Sequence, residues 1–190
     1  EIKEGKLNVV AVDGYRMAIK SKEIKDLEPE TIIVISPHSI GYQDSFHISP
    51  DTTAKGDFNN FNSDEIIEVK YDENLRDAII EEAISINFPV NKKEEINPSL
   101  DHGTMVPLYF INQEYNHYQT IRIGLSNLSL KDHYIFGTII RKAIEKTNKK
   151  VVIIASGDLS HKLQEYGPYG YCEEGVLYDN RIMETLSKGK

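Results

Sequence analysis

The chain has 190 residues, 39% hydrophobic and 27% charged, enough for one domain with a sizeable core. Its net charge of -8 argues against nucleic acid or an anionic membrane surface as the main partner. A single cysteine, Cys172, excludes an intramolecular disulfide framework and a cysteine-rich zinc site, and it suits the cytoplasmic location expected for the protein.

No apolar run approaches the roughly 20 residues that span a bilayer. The amino terminus, Glu1-Ile-Lys-Glu-Gly-Lys, does not read as a signal peptide, because no long apolar segment follows its charges. The sequence starts without methionine and stops just after a predicted helix, so an ordered portion of a longer chain is expected.

Residues 7–12, Leu-Asn-Val-Val-Ala-Val, predict a short strand. Residues 15–27 set Met17, Ile19, Ile24 and Leu27 among charges and predict an amphipathic helix ended by Glu28-Pro29. Residues 31–38, Thr-Ile-Ile-Val-Ile-Ser-Pro-His, predict a buried strand that ends in turn-forming residues and delivers His38. Between 39 and 62 only residues 45–49 alternate like a strand, setting His47 opposite Phe46 and Ile48 as a structural or exposed histidine. Residues 57–61, Asp-Phe-Asn-Asn-Phe, predict a loop that packs two aromatics over the sheet edge and lids a site.

Residues 65–71 alternate as a half-exposed strand, and Asp72 caps a helix over 73–86 with Leu75, Ala78, Ile79, Ala83 and Ile86 at helical spacing. Residues 88–90 are extended and 91–99 a charged loop, all reading as scaffold. The next stretch, Leu100-Asp-His-Gly-Thr-Met-Val-Pro-Leu108, predicts a helix from Asp101 or Thr104 with Pro107 in its first turn. Histidine and glycine at such a start suit a site, since free N–H groups there attract anions and the glycine lets a ligand approach. Asp101 stands ready to orient His102 or hold its proton; the plainer alternative is a capped helix with an incidental histidine.

Residues 119–124 predict a strand and 127–146 a helix whose inner side carries Ile135, Phe136, Ile139, Ile140, Ala143 and Ile144, with His117 and His133 exposed. Residues 151–161 read Val-Val-Ile-Ile-Ala-Ser-Gly-Asp-Leu-Ser-His. Four β-branched residues predict a strand buried on both faces, after which Asp158, Ser160 and His161 emerge at its carboxyl end, where open α/β sheets bind ligands. This completes a second βαβ unit, and two parallel strands would bring His38 and His161 to one edge of the sheet. Residues 166–172, rich in glycine and tyrosine, offer an aromatic pocket wall, and 178–186 a closing helix. The economical answer is a single α/β domain over 1–190, with a mostly parallel central sheet flanked by helices.

Three histidines with Asp101 and Asp158 at strand and helix ends fit either a divalent metal with open positions or metal-free acid–base work. Gly157-Asp-Leu-Ser160 lacks the Gly-x-Ser-x-Gly elbow of serine hydrolases. No Gly-x-Gly-x-x-Gly or Walker-type loop is present, so nucleotide-dependent chemistry is not expected.

Ser36-Pro-His38, Leu100-Asp-His-Gly-Thr-Met-Val-Pro-Leu108 and Ala155-Ser-Gly-Asp-Leu-Ser-His161 occur in this order, at similar separations, in the class III extradiol dioxygenase superfamily. The chain resembles that superfamily from about Tyr15 to its last residue, closest to its Memo-like branch, the AmmeMemoRadiSam system protein B group. The resemblance implies a catalytic-subunit-B-like fold and, in the intact site, Fe(II) held by two histidines and a glutamate, with zinc or another divalent metal as the alternative. It assigns a metal ligand to His38, the acid–base catalyst to His161, and a place beside substrate and oxygen to His102. Ser36, Asp101, Gly103 and Asp158 are then the surrounding pocket residues.

The family's other metal histidine lies near the amino terminus in a Pro-His-Pro-Pro setting, and no histidine precedes His38 here. The last ligand, glutamate or cysteine, lies further along than Cys172 and Glu173. The chain is therefore expected to lack part of both ends of the full family domain. The implied function is a non-haem Fe(II) extradiol-dioxygenase-like oxidoreductase acting on a catechol-like or other small aromatic substrate. The alternative is a non-enzymatic Memo-like module that binds a metal, a ligand or a peptide, and a zinc hydrolase ranks third. The expected partner is a small aromatic substrate or ligand, with no nucleic acid and no membrane; a homo-oligomer stays open.

Overall fold

The computed structural model describes residues 2–3, 6–13, 16–23 and 28–187, the first three segments as backbone alone. In chain order the elements are strands β1 (Ile2–Lys3), β2 (Lys6–Asp13), β3 (Arg16–Glu23), β4 (Thr31–Ser36), β5 (Phe46–His47), β6 (Thr53–Asp57) and β7 (Ile66–Lys70). Helix α1 (Glu73–Ser85), β8 (Val90–Asn91), α2 (His102–Asn112), β9 (Gln119–Gly124), α3 (Leu130–Thr147), β10 (Val151–Ala155) and α4 (Glu173–Ser187) follow. They divide into two compact units, Leu27–Ser156 and Glu1–Asp26 with Gly157–Lys190. No described helix is long and apolar enough to cross a membrane.

The larger unit is built on β4, which pairs in parallel with β9 on one side and β10 on the other. The two faces of β4 are both buried, one under α1 and α3 and one with α2 packed against it, which is why its Ile-Ile-Val run shows no polar alternation. Parallel partners need long crossovers, and α3 supplies the one from β9 to β10. Ile33, Ile121 and Ile123 pack with Phe46, Ile48, the buried side of α1 (Leu75, Ala78, Ile79, Ala83) and that of α3 (Phe136, Ile139, Ile140, Ala143). Side chains alternate along a strand, so Ile32 and Val34 point away from that cluster. Helix α2 packs against β4 and adds the buried Leu108 and Ile111.

Local chemistry sets the helix starts. Asp72 accepts the Leu75 amide at 3.1 Å, and Ser129 with Asp132 forms a reciprocal capping box, which starts α3 at Leu130 rather than at 127. Lys149 Nζ lies 2.6 Å from Asp72 Oδ2, tying the end of the α3 loop to the start of α1. Burial works to raise the Asp72 pKa, but bonds from Lys149, Thr31 and the Leu75 amide outweigh it and hold the carboxyl below its ordinary value.

Several sequence expectations change in this unit. Strand β10 is at the edge of its sheet and Ile153 is 50% exposed, so its β-branched run is not buried on both faces. The 45–49 alternation does not separate faces, because Phe46, His47 and Ile48 are all buried. Strand β6, unmarked by any alternation of apolar residues, forms by antiparallel pairing with β7. Pro107 falls in the second turn of α2, since the helix begins at His102. His133 is half-buried, its ring 4.7 Å from that of Phe46.

In the smaller unit β1, β2 and β3 form an antiparallel meander, and α4 lies against β3. The helix expected over 15–27 is corrected: Arg16–Glu23 is a strand paired residue by residue with Lys6–Asp13. Met17 and Ile19, two apart, share one face of a strand and not of a helix, and Asp13-Gly14 between apolar runs is a hairpin signal that outweighs the helical spacing of Met17 with Ile24. Positions 15 and 24–27 of that expected helix lie outside the described residues. Helix α4 starts at Glu173, five positions before the expected 178, and its buried Asp179 accepts the Ser160 amide at 2.8 Å.

Candidate functional site

Strand β4 ends at the buried Ser36, and the chain turns through Pro37 to present His38, whose amide donates to Ser36 Oγ at 3.2 Å. Asp101 fastens this turn to α2. Its Oδ1 accepts from Ser36 Oγ at 2.5 Å and from the Thr104 amide at 3.0 Å. Its Oδ2 accepts from Ser39 Oγ at 2.7 Å and Thr104 Oγ1 at 2.9 Å. Burial works to raise the Asp101 pKa, but these donors outweigh it and keep the carboxylate below its ordinary range.

This geometry revises the local expectations. Asp101 is committed to hydroxyls and its own helix cap instead of the His102 imidazole, and that cap uses the helix-start amide expected to draw an anion. Gly103 is buried beneath the rim, and a Cβ there would stand 2.5 Å from Ser36 Oγ and 3.1 Å from His38 Cδ2. The glycine serves close packing of the two motifs. Gly124 does the same at the end of β9, where a Cβ would come within 1.9 Å of the Ile40 carbonyl oxygen.

The result is a pair of exposed imidazoles, His38 and His102, with ring centroids 3.9 Å apart and planes tilted by 42°. They line a cavity of about 460 Å³ together with Asp57, Asn60, Phe61 and Arg122. The 57–61 loop does reach the site, as expected: the Phe61 ring lies 5.8 Å from that of His102.

Behind the cavity stands a buried polar network that sequence reading did not find. Arg122 ion-pairs with Glu95 and donates from Nε to Ser49 Oγ at 2.8 Å and from Nη1 to the Ser99 carbonyl at 2.8 Å. Glu95 also meets His47 Nε2 at 2.9 Å and Ser49 Oγ at 2.7 Å, while His47 Nδ1 lies 2.8 Å from Asn91 Oδ1. Burial works to raise the Glu95 pKa, but His47, Ser49 and Arg122 outweigh it and lower it overall. A lone arginine in the apolar strand 119–124 was the available signal, because a buried cation needs a buried partner. Glu95 gave none among its charged neighbours.

Asp158 and His161 belong to the smaller unit, as a pair 3.7 Å apart (Oδ2 to Nε2). The His161 ring lies 5.3 Å from that of Tyr169, while Tyr166 and Tyr171 are exposed. Strand β10 itself belongs to the larger unit, as the parallel neighbour of β4 with Ala155 in register with Ile35. Among the described residues no group of three or more histidine, cysteine, aspartate or glutamate side chains comes together to hold a metal ion. The cavity offers two imidazoles, the Asp101 carboxylate already committed to hydroxyls, and Asp57, which accepts the Asn59 amide; these do not group into a complete metal site among the described residues.

Residues 5–190 match the family described as the catalytic LigB subunit of aromatic ring-opening dioxygenase. The chain is 37% identical, over 89% of its length and 38% of the relative's, to a Clostridium acetobutylicum protein whose name states no activity. It is 24% identical to the 3,4-dihydroxyphenylacetate 2,3-dioxygenase of Escherichia coli, over 95% of this chain and 68% of that one. Identity with a MEMO1 family protein of Methanosarcina barkeri is 28%, over 83% of this chain and 51% of that one. The chain thus spans well under half of the first relative and about half of the third.

Proposed function

The chain belongs to the family of the catalytic LigB subunit of aromatic ring-opening dioxygenase, and from that premise we propose that its cavity takes a small catechol-like compound for oxidative ring opening. The observation that carries the reading is the His38–His102 pair, 3.9 Å apart on the rim of a cavity sized for a small molecule. A catechol must lose protons as it reacts, and an imidazole is suited to accept one. In this reading His102 contacts the substrate and His38 contributes one ligand to the family's metal, while the acid–base role of His161 is what the family resemblance implies. Asp158, 3.7 Å from His161 Nε2, stabilises the imidazolium that forms. Ser36, Gly103 and Asp101 hold the rim in place. The described residues do not complete a site for the iron that the family resemblance implies, so the steps given to them are binding, orientation and proton transfer. The single cysteine and acidic charge suit a cytoplasmic setting.

The incomplete donor set, with the likeness to a MEMO1 family protein, favours a second reading: a module that binds a metal, small ligand or peptide without turnover. Elemental analysis of protein purified without oxygen, followed by oxygen uptake with a panel of catechols, separates the two. Iron with catechol-dependent uptake is the expected result, and His161→Ala then stops uptake while metal content stays near normal. Metal-free protein that cannot be reconstituted and takes up no oxygen would hand the site to the binding module.

A further inference from the structure

We propose that Phe61 is a stacking platform that selects planar aromatic rings for the cavity beside His102, an inference that rests on the reading above and names its specificity residue. Phe61 closes a short 3-10 turn, Asn59–Phe61, between β6 and β7. The turn is fixed from within. The Phe61 amide donates to the Phe58 carbonyl at 2.8 Å, that of Ser63 to the same carbonyl at 3.2 Å, and that of Asn59 to Asp57 Oδ1 at 3.0 Å. Asn62, with φ of 57°, ends it in the left-handed conformation that asparagine tolerates.

The two aromatics of the turn have different jobs. Phe58 is half-buried and meets Tyr109 of α2 edge-on at 5.9 Å, which anchors the turn to the helix that starts at His102. Phe61 is held out, 58% exposed, where burial would have stabilised the fold. Its ring lies 5.8 Å from His102, whose other neighbour is His38, so three rings follow one another along a single wall of the cavity. Aromatic rings attract one another in offset or edge-to-face arrangements beyond simple area burial. A flat guest ring therefore gains on this wall what a puckered ring of equal size does not, while Asp57 and Asn60 in the same lining offer its hydroxyls polar partners.

The test compares catechol with cis-cyclohexane-1,2-diol, a non-aromatic diol of similar size, by isothermal titration calorimetry on the purified protein and on Phe61→Ala and Phe61→Tyr. The expected result is a catechol affinity about 5- to 10-fold weaker in Phe61→Ala, a diol affinity changed less than about twofold, and recovery in Phe61→Tyr. Equal weakening of both ligands, an unchanged catechol affinity, or no catechol binding by the parent protein would each overturn the platform. Oxygen uptake measured in parallel keeps the two ideas apart. Ring-selective binding that depends on Phe61 but brings no uptake sustains the platform and sinks the enzyme reading. Uptake that ignores Phe61 sinks the platform alone.

Discussion

Two histidine sites lie in the same unit of this protein and differ in almost every physical respect. His47 is 1% exposed, with one ring nitrogen on Asn91 and the other on Glu95, and the Glu95 charge is balanced by Arg122. His38 and His102 are exposed, face each other at 3.9 Å, and border the cavity. Residue type alone does not distinguish them; surroundings do. An imidazole locked between buried partners holds two loops together, whereas His38 and His102 stand exposed on the border of a cavity.

Removing a charge from the buried network should have the largest effect. Arg122→Ala strands the Glu95 carboxylate and should cost about 3–5 kcal/mol in chemical denaturation; a loss under about 1 kcal/mol would show that the network is not structural. His47→Ala should follow at about 2–3 kcal/mol, because Glu95 and Asn91 each lose a buried partner. Asp101→Ala sharpens the contrast from the other side. It removes a helix cap and the acceptor for Ser36 and Ser39, costing about 2 kcal/mol, and should also weaken catechol binding, because both imidazoles lose their common support.

Asp72→Asn provides a charge test away from both sites, read through pH. The Asp72 carboxyl is held below its ordinary pKa in the folded protein, so its contribution is present above the unfolded pKa and lost as pH falls through the folded one. The variant should lose about 1 kcal/mol at neutral pH, the Lys149 side of the pair being partly open to solvent, and show a shallower decline in acid. Identical acid limbs for parent and variant would contradict the assignment. The smallest stability effects belong to His38→Ala and His102→Ala, within about 0.5 kcal/mol. A cost as large as that of His47→Ala would erase the distinction between the two sites.

Much of the larger unit is written locally. The apolar run of β4, the Asp72 cap of α1, the inner face of α3 and the turn that delivers His38 each follow from a few adjacent residues. The motifs around His38 and His102 were legible in the same way, and so was the aromatic loop at 57–61. Their joint was not. Asp101 binds hydroxyls 62 and 65 positions earlier, and the nearer partner, His102, is not the one it takes up. Glu95 sits among Lys92, Lys93 and Glu94 and nothing local marks it as the buried one; only pairing with Arg122, 27 positions on, does so. Edge and centre positions are equally non-local, which is why the run in β10 looked as buried as that in β4. In the smaller unit the strand Arg16–Glu23 is hidden in the sequence because Met17 shares helical spacing with Ile24 while sharing a strand face with Ile19, so the local pattern supports either period.

The most direct test of the account is catechol-dependent oxygen uptake by iron-supplied His102→Ala, measured beside the parent protein with both shown to be folded. The account predicts uptake by the parent only when catechol is present, and a loss of about 100-fold in the variant because the substrate is no longer positioned. Undiminished uptake by folded His102→Ala would contradict the assignment of this cavity as the place where the chemistry occurs.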